Sequence, residues 1–354
     1  MKPVAFYLPQ FYPTPENNRW WGEGFTEWTN VTKSKPKYKG HYQPQLPADL
    51  GFYDLRVPET IMKQVEIARN HNLYGFCFYH YWFNGERPLN KPVDLFIETE
   101  KEFPFCVCWA NHDWNKIWDG FPNTILMKQN HSIEDDTKHI RFLAEHVFSS
   151  PNYIKVDNKP VFLVYRTELF PDIKKTSDIW RREILNYGFD GIYLINIENI
   201  VYDVHPDRLG FDAGLDFHPK GKNLPKLVGR NKIKKWLNRF SPKKSVYYEN
   251  KIWEYEDYID NNIIDKDVSY LLYPALFPAW DNSARREKEA WIMQNSTPEK
   301  FRKWASLILE NFEPPNEEEN FVFINAWNEW AEGCHLEPCR KWKNDYLNVI
   351  KELF

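Results

Sequence analysis

Long apolar segments are missing from this 354-residue chain. No stretch of about 18 consecutive apolar residues occurs, which argues against a helix that crosses a membrane. Residues 1–6 contain neither the apolar segment nor the small-residue cleavage site of a secretory signal peptide. We therefore expect a cytoplasmic protein without a membrane span.

Cysteine is scarce and follows no pattern of metal binding or disulfide pairing. The five cysteines are odd in number, and Cys77, Cys106 and Cys108 lie inside apolar, strand-like segments. Cys106 and Cys108 would share one face of a strand, but no second Cys/His pair at zinc spacing accompanies them. This usage favours buried thiols in a reducing compartment. We expect neither a metal site nor a cofactor.

Positive charge is not in excess either. The net charge of −4 gives no indication of nucleic-acid binding. Aromatic residues, in contrast, make up 17% of the chain, although its mean hydropathy is only −0.67. Many rings must therefore lie at half-exposed surfaces. A carbohydrate-binding cleft would use them, because a sugar ring offers a flat C–H face for stacking, and a large aromatic core is the alternative use.

Short apolar segments recur along the chain, and most of them are separated by a helical pattern. The predicted strands are residues 3–8, 74–79, 104–109, 160–165, 191–197, 211–217, 269–276 and 321–326. The predicted helices are residues 58–72, 91–102, 132–148 with Ser132 as N-cap, 172–187, 297–311 and 345–354. This alternation is typical of an α/β protein with a parallel sheet.

Eight strand candidates predict a single (β/α)8 TIM barrel that occupies residues 1–354 as one domain, with long loops after the strands. A doubly wound open sheet is the alternative. Such a sheet would normally carry a Gly-rich phosphate-binding turn after its first strand. Here that turn reads Leu-Pro-Gln-Phe-Tyr-Pro at residues 8–13, which cannot offer the required backbone amides. The sequence therefore favours the barrel.

A basic insertion interrupts the alternation after the sixth strand, at about residues 219–262. Between residues 219 and 251 it holds eleven lysines and arginines and a single acidic residue, Glu249. A solvated lysine-rich loop is one interpretation of this segment. The other is a peripheral surface or a contact with an anionic glycan.

The carboxyl ends of the strands are where a barrel of this kind places its active site. Polar and aromatic residues are concentrated there, which suits a ligand with many hydroxyl groups. The residues that we predict to contact substrate are Gln10, Trp21, His80, Trp82, Asn111, His112, Asp113, Arg166, Glu198, His218, Trp280, Asp281, Trp327, Asn328 and Trp330. A metal site formed by His80, His112 and His218 is conceivable, but nothing in their spacing requires one.

Several of these residues also have a purely structural interpretation. His80 and His112 could be hydrogen-bonding groups of the scaffold, and Arg166 could pair with a carboxylate of the barrel. Glu198 could cap the following helix. Trp21 could anchor the first loop instead of contacting substrate.

The segment of residues 325–338 after the eighth strand holds two glutamates three residues apart, Glu329 and Glu332. If the turn after the strand is helical, their Cβ atoms lie about 5–6 Å apart on one face. Trp327 and Trp330 flank them and argue against free solvation. Two carboxylates in different environments beside aromatic rings have what glycosidic chemistry needs, so we predict that Glu329 and Glu332 are catalytic.

Several long motifs resemble one protein family. These are Tyr-Leu-Pro-Gln-Phe (7–11), Trp-Trp-Gly-Glu-Gly-Phe-Thr-Glu-Trp-Thr-Asn-Val (20–31), Gly-Phe-Cys-Phe-Tyr-His-Tyr-Trp-Phe (75–83), Cys-Trp-Ala-Asn (108–111) and Trp-Asp-Asn (280–282). They resemble the WbsX-type family, found in bacterial O-antigen and capsule clusters and named as glycosyltransferases. One departure is Asn111-His112-Asp113-Trp114, where that family is expected to have Asn-Glu-Asn-Trp. The resemblance covers nearly the whole chain and implies a polysaccharide substrate.

The motif Asn-Glu-Trp-Ala-Glu-Gly (328–333), followed by Leu-Glu-Pro (336–338), also resembles glycoside hydrolase family 99. That family contains endo-acting α-mannosidases and mannanases on a (β/α)8 barrel. The resemblance implies that Glu329 acts as base on the sugar 2-hydroxyl, through an anhydro-sugar intermediate. It implies that Glu332 acts as general acid/base. Protonating the leaving oxygen would need a raised pKa of Glu332 in a partly desolvated site, while Glu329 stays ionised.

Three hypotheses follow from the residues and the resemblances. The first is a retaining, family-99-like glycosidase or transglycosylase that acts on a bacterial surface polysaccharide. The second is a glycosyltransferase that uses a sugar nucleotide. The one Asp-x-Asp sequence, residues 265–267, precedes the seventh strand and so lies at the wrong end of the barrel for a metal–diphosphate site. The third is a glycan-binding protein without catalytic activity.

Overall fold

Eight parallel strands form the centre of the computed structural model, which describes residues 1–116, 124–198, 204–230, 245–263 and 268–354. The strands are β1 (Lys2–Tyr7), β2 (Gly75–His80), β3 (Phe105–Trp109), β4 (Lys159–Val164), β5 (Tyr193–Ile197), β6 (Ala213–Asp216), β7 (Leu272–Leu276) and β8 (Phe321–Ile324). Their order in the sheet is β3-β2-β1-β8-β7-β6-β5-β4, and β4 also pairs with β3. The sheet therefore closes on itself, and the predicted (β/α)8 barrel is confirmed.

Helices follow the strands along the chain and surround the barrel. They are α1 (Pro58–Asn70), α2 (Lys91–Thr99), α3 (Ile133–Leu143), α4 (Ile173–Glu183), α5 (Pro206–Leu209), α6 (Tyr255–Asn261), α7 (Pro298–Asn311) and α8 (Asp345–Leu353). Each of the six predicted helices is present. The helix predicted for residues 132–148 begins at its Ser132 cap, whose hydroxyl accepts the Asp135 amide, and changes after α3 to a π-helical turn, Ala144–Phe148.

The strands are buried along almost their entire length, which is why the sequence shows continuous apolar segments instead of alternation. One face points into the barrel and the other packs against the helices. The ring of Phe6 on β1 lies 5.0 Å from that of Phe217, which follows β6 on another side of the barrel. Among the described phenylalanines only Phe52 is largely exposed. Most of the aromatic content thus forms core.

The long loop between β1 and α1 contains two short helices, Pro15–Trp21 and Glu27–Lys33. Thr14 and Thr26 cap them by accepting backbone amides through their hydroxyls. These caps fix the start of each helix, so the loop has a defined path over the carboxyl end of the barrel.

The predicted basic insertion is only partly described. Residues 231–244, which hold six of its positive charges, lie outside the described residues. The rest contributes α6 and the strand Lys251–Glu254, which pairs with Trp291–Gln294, itself paired with Trp280–Asp281. Part of the insertion is therefore an ordinary outer helix and a small rim sheet. A peripheral or anionic-glycan contact through the remainder stays a prediction, as does the assignment of residues 1–354 to one domain.

None of the helices in the described ranges has the length and apolar character needed to cross a bilayer.

Candidate active site

A tight hairpin after β8 carries the two glutamates that the sequence singled out. Asn328–Glu329 pairs in antiparallel fashion with Cys334–His335. Trp330–Glu332 forms a 3-10 turn between them, and Gly333 closes the hairpin at φ 58°. The expected helical turn after the strand is thus a single 3-10 turn, and Glu329 lies in a strand before it.

Hydrogen bonds from Asn328 fix the hairpin to the end of β1. Its Nδ2 donates to the Leu8 carbonyl at 3.0 Å, and its Oδ1 accepts the Leu8 amide at 2.7 Å. The Trp327 amide donates to the Phe6 carbonyl at 2.7 Å. The first and the last strands of the barrel therefore hold the hairpin together.

A buried carboxylate, Glu337, supports the hairpin from below. It accepts hydrogen bonds from Trp330 Nε1 at 2.5 Å, Gln64 Nε2 at 2.6 Å and the Tyr53 hydroxyl at 2.8 Å. Burial raises the pKa of Glu337 to about 7, and the three donors oppose that rise. Trp330 directly follows Glu329 and lies two residues before Glu332. The network that holds Trp330 therefore also restricts where the two carboxylates can point.

Arg285, in the loop after β7, contacts three carboxylates at once. Its guanidinium lies 3.0 Å from Glu329 Oε2, 2.7 Å from Glu332 Oε1 and 3.1 Å from Glu27 Oε2. The Arg285 side chain is 11% exposed and that of Glu27 is fully buried, whereas the Glu332 side chain is 20% exposed. Three acids thus share one permanent positive charge in a largely buried site.

Burial, together with the charges of neighbouring acids, raises the pKa values of two of these carboxylates. Burial raises the pKa of Glu329 to about 8; Arg285 opposes the rise, and the charges of Glu332 and Glu27 add to it. Burial likewise raises the pKa of Glu27. The same carboxylates raise the pKa of the Arg285 guanidinium, against the effect of its burial. Burial thus raises the pKa of the carboxylate that was expected to stay ionised, Glu329, which is the more deeply buried of the two. The catalytic roles expected for Glu329 and Glu332 stay predictions.

A cleft of about 340 Å³ opens above these carboxylates at the carboxyl end of the barrel. We call it the catalytic cleft. Glu329, Glu332 and Arg285 lie in its wall beside aromatic rings from several strand ends and from the first loop. Its aromatic lining residues are Trp20, Trp21, Tyr79, Tyr81, Trp114, Tyr165, Phe217 and Trp280. Two carboxylates facing a ring-lined cleft are suited to a sugar substrate.

The family described as "Glycosyltransferase WbsX" matches residues 3–350. The chain belongs to this WbsX family. The protein WxcX from two strains of Xanthomonas campestris pv. campestris is 38% identical over an alignment of 357 residues, and the match covers 99% of this chain and 49% of that protein. The WbsX-family chain therefore spans about half the length of the curated relatives it matches.

Two solved structures share the fold. A "glycoside hydrolase-like protein" has a TM-score of 0.66 at 13% identity, covering 100% of this chain and 93% of that one. The GH99 endo-α-mannosidase from Bacteroides thetaiotaomicron has a TM-score of 0.60 at 14% identity, covering 99% of this chain and 95% of that one. The chain thus belongs to the WbsX family and shares its barrel fold with these two structures.

Seven of the predicted site residues line the catalytic cleft. They are Gln10, Trp21, His112, Asp113, Trp280, Glu329 and Glu332. His112 is the one titratable histidine among them, and burial lowers its pKa to about 4. It is therefore neutral at pH 7 and able both to donate and to accept a hydrogen bond. The contacts of these seven residues with substrate stay predictions.

His80 and Trp82 lie behind the rim instead, packed on α3. The two imidazoles of His80 and His139 are 2.9 Å apart at Nε2, and Trp82 stacks on His139 while donating to Asp135. Burial lowers the pKa of His80 to about 3. These contacts favour the scaffold role for His80. Neither His80 nor Trp82 is among the described residues that line the catalytic cleft.

His218 and Glu198 likewise have partners within the scaffold. His218 Nδ1 lies 2.8 Å from the Tyr258 hydroxyl and its Nε2 3.3 Å from Asp216. Glu198 accepts the Tyr270 hydroxyl at 2.6 Å. His80, His112 and His218 thus face different neighbours, and within the described ranges no group of three His, Cys, Asp or Glu side chains is arranged to hold a metal ion.

Asn111 and Arg166 link two strand ends. Asn111 Nδ2 donates to the Arg166 carbonyl at 2.9 Å, and its Oδ1 accepts the Arg166 amide at 2.8 Å. The Arg166 guanidinium pairs with Glu168. The suggested pairing of Arg166 with a carboxylate is therefore present, although its partner lies two residues along the chain and not in the barrel.

The remaining predicted residues surround the hairpin. Trp327 is fully buried, with its ring 5.1 Å from that of Phe76. Trp330 stacks on His335 at 3.7 Å, and Asn328 is occupied by Leu8 as described. Asp281 lines a separate cavity on the far side of Trp280. A direct contact of these residues with substrate stays a prediction.

Sequence reasoning missed Arg285, Glu27 and Glu337. Glu27 lies inside a quoted motif, Phe-Thr-Glu-Trp, and Glu337 inside Leu-Glu-Pro, so both were visible as acids beside aromatic residues. Arg285 has no such signal, since it stands in the sequence Ser-Ala-Arg-Arg-Glu, typical of an exposed loop. Only closure of the barrel brings Arg285 to Glu27, which lies 258 positions away in the sequence, and to Glu329, which lies 44 positions away.

Proposed function

We propose that this chain breaks or transfers a glycosidic bond of a bacterial surface polysaccharide, O-antigen or capsule, as a retaining enzyme of the family-99 type. The observation that supports this most is the meeting of Glu329, Glu332 and Glu27 on Arg285, which lies with Glu329 and Glu332 in the wall of the ring-lined cleft. Family membership and the shared fold support the same class of chemistry. The cytoplasmic location stays a prediction.

The environments of the two carboxylates suit different roles. Glu329 is the more buried, and a carboxylate with a pKa of about 8 is a stronger proton acceptor than a solvated one. It is therefore suited to withdraw a proton from a weakly acidic sugar hydroxyl. Glu332 lies on the more exposed side of Arg285 and would protonate the leaving oxygen, then deprotonate the incoming acceptor.

Water or a second sugar can serve as that acceptor. With water the outcome is hydrolysis, and with a sugar hydroxyl it is transglycosylation. The half-exposed rings of Trp21 and Trp280 would stack on the sugar on either side of the bond, with Gln10 and Asp113 available for hydroxyl groups.

The test uses Glu329→Gln and Glu332→Gln, which preserve shape and remove charge. The substrates are purified O-antigen and capsular polysaccharides, and the products are sized by chromatography and mass spectrometry. Each variant should lose about 10²–10⁴-fold in rate. Glu310→Gln, on the exposed surface of α7, is the matched control and should keep full turnover. Wild-type turnover by both cleft variants would refute the assignment.

A nucleotide-sugar-dependent glycosyltransferase is the second candidate, favoured by the name of the family. The Asp-x-Asp sequence lies outside the described residues. Calorimetric titration with nucleotide sugars in the presence of Mg²⁺ decides between the two: micromolar binding of a nucleotide sugar would favour transfer from an activated donor. Binding of polysaccharide without any change in its size would instead favour the glycan-binding protein.

A further inference from the structure

A second cleft, of about 500 Å³, lies beside the catalytic cleft on the other side of Trp280. Its walls come from the first loop, the rim sheet, the start of α7 and the segment before α8. We define it by Tyr42, Trp280, Lys300, Gly333, Lys341 and Trp342. None of these residues except Trp280 lines the catalytic cleft.

The two clefts share their dividing wall. Trp280 lines both of them, whereas Asp281, at the end of the strand Trp280–Asp281, lines the second cleft and Asn282, at the start of the 3-10 turn that follows, lines the first. The catalytic hairpin divides in the same way. Glu329 and Glu332 face the catalytic cleft, and Gly333 and His335 line the second one. A glycan that passes Trp280 would therefore contact both.

The charged side chains that line the second cleft are mainly cations, whereas the catalytic cleft holds charges of both signs. Three lysines, Lys39, Lys300 and Lys341, line it, with Asp281 as the one carboxylate among its described lining residues. That carboxylate is already occupied, because its Oδ2 accepts His41 Nε2 at 2.6 Å and Gln43 Nε2 at 2.7 Å. The lysines therefore determine the charge that a ligand would meet.

Lys341 is placed as a carboxylate-binding group would be. Its ammonium lies 4.9 Å from the centre of the Tyr42 ring and 4.6 Å from that of Trp342. No carboxylate of the described residues forms an ion pair with it, and its partial burial lowers its pKa. Among the residues that the structure describes, Lys300 has only a long pairing, 3.6 Å, with Glu256. Both ammonium groups can therefore accept a new anionic partner.

We propose that the second cleft binds an acidic, carboxylate-bearing sugar of the same glycan whose bond lies in the catalytic cleft. Lys300 and Lys341 pair with the sugar carboxylate, while Tyr42, Trp280 and Trp342 offer ring faces to the sugars. The cleft is a binding subsite and takes no part in bond breaking. This inference rests on the proposed function only in that it takes the ligand to be the same glycan.

The experiment measures binding by calorimetry to the full chain carrying Glu329→Gln and Glu332→Gln, so that turnover does not interfere. The probes are oligogalacturonates and the same oligosaccharides after reduction of their carboxyl groups, which differ only in charge. The acidic probe should bind about tenfold more tightly than the reduced one. Equal affinity for the two probes, or no measurable binding of the acidic probe at millimolar concentration, would overturn the proposal.

Two further variants locate the preference. Adding Lys300→Gln and Lys341→Gln should abolish the advantage of the acidic probe and leave the affinity for the reduced probe unchanged. Adding Lys351→Gln instead, on the exposed face of α8 and outside the cleft, should leave the advantage intact. A preference that survives the lysine variants would refute the second cleft as its site.

The two proposals fail in different ways. If glutamine at positions 329 and 332 leaves turnover unchanged, the proposed function is wrong, yet the preference for acidic probes can still be measured. If the lysine variants bind both probes as before while the glutamine variants lose turnover, only the acidic subsite is wrong.

Discussion

Glu329 and Asp281 are both buried carboxylates, on the two sides of one wall, and their pKa values move in opposite directions. Asp281 accepts hydrogen bonds from His41, Gln43 and the Ser283 amide, and these hold its pKa below the ordinary value although burial alone would raise it. Glu329 must share Arg285 with two other acids, and its pKa rises to about 8. The ratio of donors to acids, and not burial alone, decides which carboxylate holds a proton.

The two clefts differ in the same respect. In the catalytic cleft the charges are buried and satisfy one another incompletely, which is a useful condition for proton transfer. In the second cleft, among the described residues, Lys341 has no acidic partner and Lys300 has only a long pairing with Glu256. Such cations are suited to binding an anionic ligand. The following predictions test this contrast, in order of decreasing effect.

Removal of Arg285 should have the largest effect. Arg285→Met leaves three carboxylates without their shared cation, and it should lower the free energy of unfolding by about 3–5 kcal/mol. Without Arg285 the folded state binds more protons than the unfolded state above about pH 4.5. The loss in free energy of unfolding relative to the wild type should therefore be smaller at pH 5 than at pH 8. Urea denaturation at both pH values measures this.

The matched change in the second cleft is Lys341→Met. Because Lys341 is exposed and has no described acidic partner, the free energy of unfolding should change by no more than about 0.5 kcal/mol. Similar losses in the two variants would contradict the contrast between buried and surface charge.

The shared wall should be sensitive to Gly333→Ala. A Cβ there would lie 2.6 Å from Gln45 Nε2 and 3.1 Å from the Asp281 Cβ, at a φ of +58°. The left-handed backbone alone costs about 1–2 kcal/mol for a residue with a Cβ. Gly51→Ala, at φ +61° with nothing within 4 Å, is the control that isolates this backbone cost.

Thermal unfolding of the two glycine variants gives the comparison. Gly333→Ala should be the less stable and should weaken binding of acidic oligosaccharides, while Gly51→Ala should affect stability alone. If both variants bind normally, the hairpin does not form part of the second cleft in the way we propose.

Glu27→Gln should change the pH dependence of turnover. The Glu27 charge raises the pKa of Glu329. Its removal also leaves Arg285 with two carboxylates to pair with instead of three, so the pKa of Glu329 should fall. If Glu329 acts as base, the rising limb of kcat/KM, near pH 8 in the wild type, should move to lower pH and the rate at pH 6 should increase severalfold. Glu23→Gln, at an exposed position of the same loop, should leave the profile unchanged. A shift to higher pH would exclude Glu329 as the base.

Salt should produce the smallest effect, and in one cleft only. Raising the ionic strength from about 50 to about 300 mM should weaken binding of acidic oligosaccharides a few fold, because the lysines are near the surface and are screened. Turnover of a neutral substrate should hardly change, since Arg285 and its carboxylates are buried. Equal salt dependence would show that the charges of the two clefts do not differ in exposure.

The sequence by itself determined the barrel and the position of the catalytic hairpin. A strand buried on both faces must be a short apolar segment, and a helix on the barrel must be amphipathic, so both could be recognised locally. The boundaries were accurate to within a few residues: β6 covers Ala213–Asp216 where residues 211–217 were predicted. Glu329 and Glu332 were evident because they follow the last strand and lie among tryptophans.

Only the tertiary structure decided which polar residues face a cleft and which support it. His80, Glu198 and Asn111 all lie at strand ends, yet each is turned toward a protein partner. A strand end fixes the position of the backbone, whereas the direction of the side chain depends on neighbours that are distant in sequence. The pairing of Arg285 with Glu27 and Glu329 has the same origin, since closure of the barrel joins loops that no local pattern connects.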